Sequence, residues 1–331
     1  MPRKNTTKKV IDYENSFKKS NRFSMARLSH GMTLKQMQLL AYAIYSTQQK
    51  KENASFRKYE FQEKFNIEKY QTVQAKKDTK VLYNLGFTTE DLSKDYFDYL
   101  RVFQRITYKK GVFEFQWTDD LLPHILDLKE HFILNDLTIT SKFKSSFSWI
   151  LYDYLKANYG YWNKELSKEE LMKLFVVEDR KSYRKSTAQF KRGVLDTAIQ
   201  EINKYTELEV WYTEKKVGNK IVGFKIHWSI GENETGATKE QLTLLREIHD
   251  EVENNLIKYI SIKNTEDLQE ARYNIIKIKE INKQVNDTLT YQRAKELIIE
   301  AKILYKRLHD LLIKDGQKRD TSVYFNWLEE S

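Results

Sequence analysis

The chain of 331 residues contains no cysteine, two prolines and ten glycines. Without cysteine there is no disulfide scaffold, no CxxC redox pair, no thiolate zinc site and no cysteine nucleophile. The shortage of glycine excludes something else. Nucleotide-binding enzymes need glycine-rich turns whose N–H groups approach phosphate, and neither GxGxxG nor GKS or GKT occurs, so P-loop and Rossmann chemistry lack their signature. No apolar run reaches the roughly 20 residues that span a bilayer, and the mean hydropathy is −0.70. Met1-Pro2-Arg3-Lys4-Asn5 leads into Thr6-Thr7-Lys8-Lys9 rather than an apolar stretch. No secretory signal is expected, and the expected location is the cytoplasm.

What is abundant is charge and aromatic surface. Lys+Arg number 57 against 47 Asp+Glu, a net +10, and 13% of residues are aromatic, which argues against wholesale disorder. The excess is uneven: residues 1–137 carry +7 (24 basic, 17 acidic) and 138–230 carry +6 (17 basic, 11 acidic), whereas 231–237 carry −2 and 238–331 carry −1. The first two thirds therefore suit a polyanion, double-stranded DNA first. Length predicts two or three domains. The pattern divides as a basic, disordered arm over 1–15, two similar units over 16–137 and 138–230, a linker over 231–237 and a helical extension over 238–331. The linker, Gly-Glu-Asn-Glu-Thr-Gly-Ala, holds two of the ten glycines.

The second unit is the clearer. Phe147, Ile150, Leu151, Tyr154 and Leu155 give the 143–158 stretch a helical apolar stripe. Ser167-Lys168-Glu169-Glu170 reads as a capping box before Leu171, Met172, Leu174 and Phe175. Phe190, Val194, Leu195, Ala198, Ile199 and Ile202 predict a longer third helix over 185–206. Two strands follow, 209–215 and 221–228, across Lys216-Val217-Gly218-Asn219-Lys220, a hairpin signal. Three helices closed by a hairpin form a winged helix. The first unit repeats the order: helices over 33–47, 56–70 and 71–85, then strands over 97–108 and 112–117 around Lys109-Lys110-Gly111. After 237 the pattern is helical throughout. Leu242, Leu245, Ile248, Val252, Leu256 and Ile260 form one run, Leu268 to Ile281 a second with Thr265 as its N-cap, and Leu297 to Leu311 a third. The expected fold class is α+β: two tandem winged helices followed by an all-α extension.

Between Arg180 and Leu195 six bases occur with no acid. At 100° per residue Lys185, Gln189, Arg192, Gly193 and Gln200 lie opposite the apolar side, the face a recognition helix lays in a major groove. Arg makes bidentate contacts to guanine and Gln to adenine, while Lys and hydroxyls suit phosphate. Candidate DNA contacts are therefore Lys181, Tyr183, Arg184, Lys185, Ser186, Thr187, Gln189, Lys191 and Arg192. To these we add Lys215, Lys216, Asn219 and Lys220 of the wing, and Lys76, Lys77 and Lys80 of the first unit's third helix. Gly193 is expected to leave room for a DNA backbone. A basic run is by default a solvated helix face; the capped helix before it and the hairpin after it weigh against that here.

The residues resemble a known family. Lys142 to Lys156 (KFKSSFSWILYDYLK) is similar to its helix-one signature, Phe190 to Asn203 (FKRGVLDTAIQEIN) to its third-helix signature and Val222-Gly223-Phe224 to its wing strand, while Ser20-Asn21-Arg22 resembles its entry motif. The family is the iteron-type replication initiators, the Rep proteins of theta-replicating plasmids. The resemblance covers about residues 10–230. Gly193 stands where a second Arg is common and Thr197 where Pro is common. Tyr324-Phe325-Asn326-Trp327-Leu328 resembles an aromatic C-terminus of some members. The resemblance implies monomers on direct repeats of a plasmid origin, melting of adjacent A·T-rich DNA, and recruitment of the host initiator and replicative helicase. It also implies homodimers, formed through the first unit, that bind an inverted repeat and repress the protein's own transcription.

No catalysis, cofactor or metal is expected. A rolling-circle nickase, one alternative, needs paired His on a metal and a Tyr nucleophile. The six histidines, His30, His124, His131, His227, His249 and His309, form no HxH or HxxxH, and the 21 tyrosines sit mostly at core or strand spacing. Asp119-Asp120 reads as a helix N-cap rather than a metal pair. The other alternative, a winged-helix transcriptional repressor, shares the fold and differs in lacking origin melting.

Overall fold

A computed structural model describes residues 13–20, 31–91, 95–126, 132–158, 162–231, 235–286 and 288–316. Its contacts form two compact units, Met1–Ile226 and His227–Ser331.

The first unit opens with a one-turn 3-10 helix, Tyr13–Asn15, and strand β1 (Ser16–Ser20). Tyr13–Asn15 is therefore not part of a loose arm: Tyr45 Oη donates to the Glu14 carbonyl at 3.2 Å, and Lys64 donates to Asn15 Oδ1. The rest of the expected arm, 1–12, lies outside the described residues, as do Asn21, Arg22, His30, His131 and Tyr324–Leu328. Helix α1 (Leu34–Lys50) starts at a capping box, with Gln36 N–H donating to Thr33 Oγ1 and Thr33 N–H to Gln36 Oε1. Strand β2 (Ala54–Arg57), helix α2 (Lys58–Lys64) and helix α3 (Thr72–Tyr83) follow, then β3 (Gly86–Asp91), β4 (Tyr96–Arg101), β5 (Phe103–Lys109) and β6 (Val112–Trp117).

The single strand expected over 97–108 is two. Buried Val102 donates its N–H to the Leu85 carbonyl at 3.2 Å and accepts from Thr118 N–H at 3.3 Å, so the chain changes sheets there. Strand β4 pairs back on β3 as a separate hairpin, and β5 pairs with β6 in a sheet of order β2-β6-β5. Asp119 and Asp120 form a turn before a 3-10 turn at Leu122–His124 whose N-cap is Leu121; neither aspartate caps it. Phe113, Phe115 and Trp117 alternate inward along β6. They meet Phe56, stacked 5.7 Å from Phe115, and Phe103, 4.5 Å from Trp117, while Tyr42 packs edge-on to Phe56. Buried Trp117 donates its Nε1–H to Thr47 Oγ1 at 2.7 Å.

Strand β7 (Phe132–Asp136) pairs antiparallel with β1, and helix α4 (Leu137–Thr140) leads to α5 (Ser146–Ala157), shorter than the expected 143–158 because Ser145 caps it through Phe147 N–H. Strand β8 (Asn163–Ser167) ends on the expected capping box of α6 (Lys168–Leu174): Glu170 N–H donates to Ser167 Oγ and Ser167 N–H to the Glu170 carboxylate. These bonds hold the Glu170 carboxyl below its ordinary pKa. Helices α7 (Lys181–Lys185), α8 (Thr187–Phe190) and α9 (Asp196–Tyr205) are followed by β9 (Glu209–Val217) and β10 (Lys220–Ser229), in a sheet of order β8-β10-β9. Both winged helices thus share one topology. A strand lies between the first and second helices, and it pairs with the second wing strand.

The two halves are also cross-linked. Lys19 of β1 forms a buried ion pair with Asp153 of α5, which accepts from Asn135 Nδ2 of β7 at 2.7 Å, and Lys156 of α5 donates to the Leu134 carbonyl. The polar strand Ser-Phe-Lys-Lys-Ser shows no alternation, which is why β1 is not expected from the sequence.

The second unit is a three-helix bundle of α10 (Lys239–Asn254), α12 (Thr265–Gln284) and α13 (Tyr291–Lys314), with a short α11 (Leu256–Ile260). Leu245, Ile248, Val252, Ala271, Ile275, Ile278, Leu297, Ala301 and Leu308 fill its core. The run expected from Leu242 to Ile260 breaks at Asn255, whose Nδ2 donates to the Glu251 carbonyl. The N-cap of α12 is Asn264, not Thr265: its Oδ1 accepts from Glu266 and Asp267 N–H. The expected linker is pinned where it is described. Buried Ser229 donates to the Gly236 carbonyl at 2.6 Å, Ala237 N–H to the Leu289 carbonyl and Tyr291 N–H to the Thr235 carbonyl. No helix among the described residues is long and apolar enough to cross a membrane.

Candidate nucleic-acid interface

The expected third helix of the second winged helix is built in pieces. Helix α7 ends at Ser186, whose Oγ accepts from Gln189 N–H at 3.2 Å and so caps α8. Ser186, expected at phosphate, is thus engaged as a helix cap through its acceptor. Between α8 and α9 the chain makes a π turn over Lys191–Leu195: Asp196 N–H reaches the Lys191 carbonyl, and Thr197 Oγ1 donates to the Arg192 carbonyl at 3.1 Å. A uniform 100° per residue therefore fails across the turn. Even so, Lys185, Gln189, Arg192, Gly193 and Gln200 are all exposed, on the side away from buried Phe190, Val194, Ala198 and Ile202.

Gly193 is exposed and has a tyrosine beside it. A Cβ built there would stand 3.0 Å from Tyr183 Oη, so the Tyr183 ring occupies that space. The ring also packs edge-on to Phe190 and carries the Arg180 guanidinium 5.6 Å from its centroid. Tyr183 is half-buried, a spacer between α7 and the π turn.

The bases fall into two classes. Lys191 is paired with Glu214 of β9, which Lys216 also approaches at 3.3 Å, and the Lys191 hydrogen bond is the main reason the Glu214 carboxyl titrates below its ordinary value. Lys215 is paired with Glu165, and Arg184 donates Nε–H to the Glu178 carbonyl at 2.6 Å with Asp179 3.8 Å away. In contrast, Lys181, Lys185 and Arg192 are exposed and make no ion pair among the described residues; the same holds for Lys220 and, on α3, for Lys76, Lys77 and Lys80. Asn219 and Gly218 form the wing tip, with Gly218 at φ +59°. Thr187 is half-buried in the first turn of α8. Exposed pairs such as Lys215–Glu165 contribute little and exchange readily. Half-buried Lys191 is the poorest candidate for a phosphate.

Two carboxylates that sequence patterns did not single out hold the third helices in place. Glu201 of α9 accepts from Lys144 N–H and Ser145 N–H and from Ser148 Oγ at 2.6 Å, capping the start of α5 from another helix. Fully buried Asp78 of α3 accepts from Gln36 Nε2 of α1 at 2.9 Å, Tyr70 Oη at 2.8 Å and Gln74 Nε2 at 2.9 Å. In each winged helix a carboxylate ties the third helix to the start of the first. No local spacing announces this, because the partners are 42 and more than 50 residues apart. Burial, then the bond to Asp78, push the Tyr70 hydroxyl well above its ordinary pKa. Lys109 and Lys110, exposed at the first hairpin tip, occupy the place that Lys216 to Lys220 hold in the second. Equivalent position in the repeat was the signal that could have found them. Among the described residues, no three His, Asp or Glu come together in a group able to hold a metal.

Two family profiles match this chain: Initiator Replication protein, WH1, over residues 16–156, and Initiator Rep protein, WH2, over residues 167–228. The first reaches Lys156, near the end of α5. A curated relative, the PI protein of Escherichia coli, is 29% identical over 174 residues, which cover 47% of this chain and 56% of that protein. The match thus spans little more than half of the relative's length.

Proposed function

The chain belongs to the initiator Rep protein family of plasmid replication initiators, and on that premise we propose that it binds repeated sites in origin DNA through both winged helices. The observation that carries the reading is the repeated anchor: in each winged helix a carboxylate fixes the third helix and leaves an outward face bearing unpaired bases, Lys76, Lys77 and Lys80 on α3 and Lys185 and Arg192 around α8. A rigid basic helix is what a major groove accepts. The winged helices, taken as 16–137 and 138–230, would each engage one groove. Lys181, Lys220 and Asn219 supply backbone contacts, and Gln189 and Arg192 read base edges.

In this reading the protein breaks no bond and needs no cofactor. Its work is differential binding and DNA deformation, including melting of A·T-rich DNA beside the repeats. It then recruits the host initiator and replicative helicase. Dimers formed through 16–137 repress its own gene. Footprinting on DNA flanking the protein's coding region tests the core of this: protection of evenly spaced direct repeats, about one or two helical turns apart, is expected. Absence of protected repeats refutes it. Permanganate reactivity of adjacent A·T-rich DNA separates an initiator from a plain repressor, and cleavage of supercoiled DNA by the pure protein with Mg²⁺ would overturn the non-enzyme reading. A fragment 138–331 that still sediments as a dimer would overturn the assignment of dimerisation to the first winged helix.

A further inference from the structure

Helix α3 buries Ala75, Asp78 and Leu82 against its neighbours. At 100° per residue the opposite side holds Val73 together with Lys76, Lys77 and Lys80, spaced three, four and seven residues on. Val73 is 79% exposed, the most exposed large apolar side chain among the described residues. A lone exposed valine is ordinary; one set among three unpaired lysines near the N-terminal end of a groove-facing helix is not. Neither the amide within α3 nor the one at its C-cap is free for a bidentate base contact. Gln74 is turned to Asp78 at 2.9 Å and Asn84 to the Lys80 carbonyl at 3.0 Å. The second winged helix differs, with Gln189 and Arg192 both exposed.

In a major groove the C5-methyl of thymine is the apolar group on display, and it separates T·A from the other pairs without any hydrogen bond. Lysine, a point charge on a flexible stem, suits phosphate better than a base edge. We propose that Val73 is the base-reading contact of the first winged helix, packing on the methyl group of a thymine while Lys76, Lys77 and Lys80 hold the flanking phosphates. This rests on the DNA-binding reading above. It assigns the two halves different codes, a methyl for α3 and purine edges for Gln189 of α8 and Arg192 of the π turn.

The test uses the full chain and a duplex carrying the protected repeats, with each thymine replaced singly by deoxyuridine. Wild type is compared with Val73→Ala, a change at an exposed site to a better helix former. At least one position per repeat should lose about four-fold in wild-type affinity on loss of its methyl group. Val73→Ala should bind the intact duplex more weakly by a similar factor and be indifferent to deoxyuridine at that position, with an unchanged salt slope. The proposal is overturned if no thymine is sensitive, or if every sensitive thymine keeps its full penalty in Val73→Ala. A chain that fails to bind the repeats in either form overturns the DNA-binding reading itself, a result distinct from both.

Discussion

Gly223 lies in β10, beside its sheet neighbour β8. A Cβ there would sit 2.7 Å from the Leu166 carbonyl oxygen and 3.2 Å from Ser167 Cα, both backbone atoms. Its φ is not in the left-handed region, so the demand for glycine is one of space alone. To restore ordinary contact the strands must part by about 0.7 Å, the gap between 2.7 Å and 3.4 Å. Overpacking of that kind costs roughly 1–3 kcal/mol. The displaced residue, Ser167, is the N-cap of α6, and loosening it adds about 1 kcal/mol. Gly223→Ala should therefore cost about 2–4 kcal/mol by urea unfolding followed by tryptophan fluorescence. Gly218→Ala is the control: φ is +59° with nothing within 4 Å, so only backbone strain of about 1 kcal/mol is expected. A loss for Gly223→Ala no greater than for Gly218→Ala would refute the argument.

Arg192→Ala should lower affinity for the cognate repeats by about 1–3 kcal/mol while leaving binding to unrelated duplex nearly unchanged; equal losses on both would make Arg192 a phosphate contact instead, as mobility shifts would show. Glu201→Ala frees two N–H groups and the buried Ser148 hydroxyl at the start of α5, for an expected loss of about 2–3 kcal/mol in the same urea assay, with Glu201→Gln recovering part of it. Burial raises the pKa of Tyr42 to about 12 and that of Tyr70 further, from 10.0. A raised folded value means stability is intact below pH 10 and lost as the unfolded chain alone ionises above it. The unfolding free energy should fall steeply between pH 10 and 11, and Tyr70→Phe should flatten that slope by about 1.4 kcal/mol per pH unit; an equal slope for both proteins would count against it.

Much of this molecule is written in short-range spacing. The Ser167–Glu170 box, the three-and-four periodicity of α5 and α13, and the Gly218-Asn219 turn each depend on residues a few positions apart, and each forms in the structure. Errors collect where one partner is distant. The split at Val102 needed the Leu85 carbonyl, and the β1–β7 ladder joins residues more than 100 positions apart. Even the faulty cap at Thr265 erred by one residue only, because Asn264 and Thr265 are both plausible caps and only backbone angles choose between them.

Charge illustrates the same division. That the basic excess lies before residue 231 follows from counting, and with the helix–hairpin order it was sufficient to indicate two winged helices. Which of those bases remain unpaired does not follow from counting. Lys191 and Arg192 are neighbours in the sequence, yet one meets Glu214 across the wing and the other meets no acid among the described residues. That the Tyr183 ring lies beside Gly193 does not follow from counting either. Local patterns determine which segments become helices and wings, since those energies are set within a turn or two of chain. Which side chains are left facing outward is settled by contacts between segments, because pairing and packing act on distance in space and not on distance along the chain.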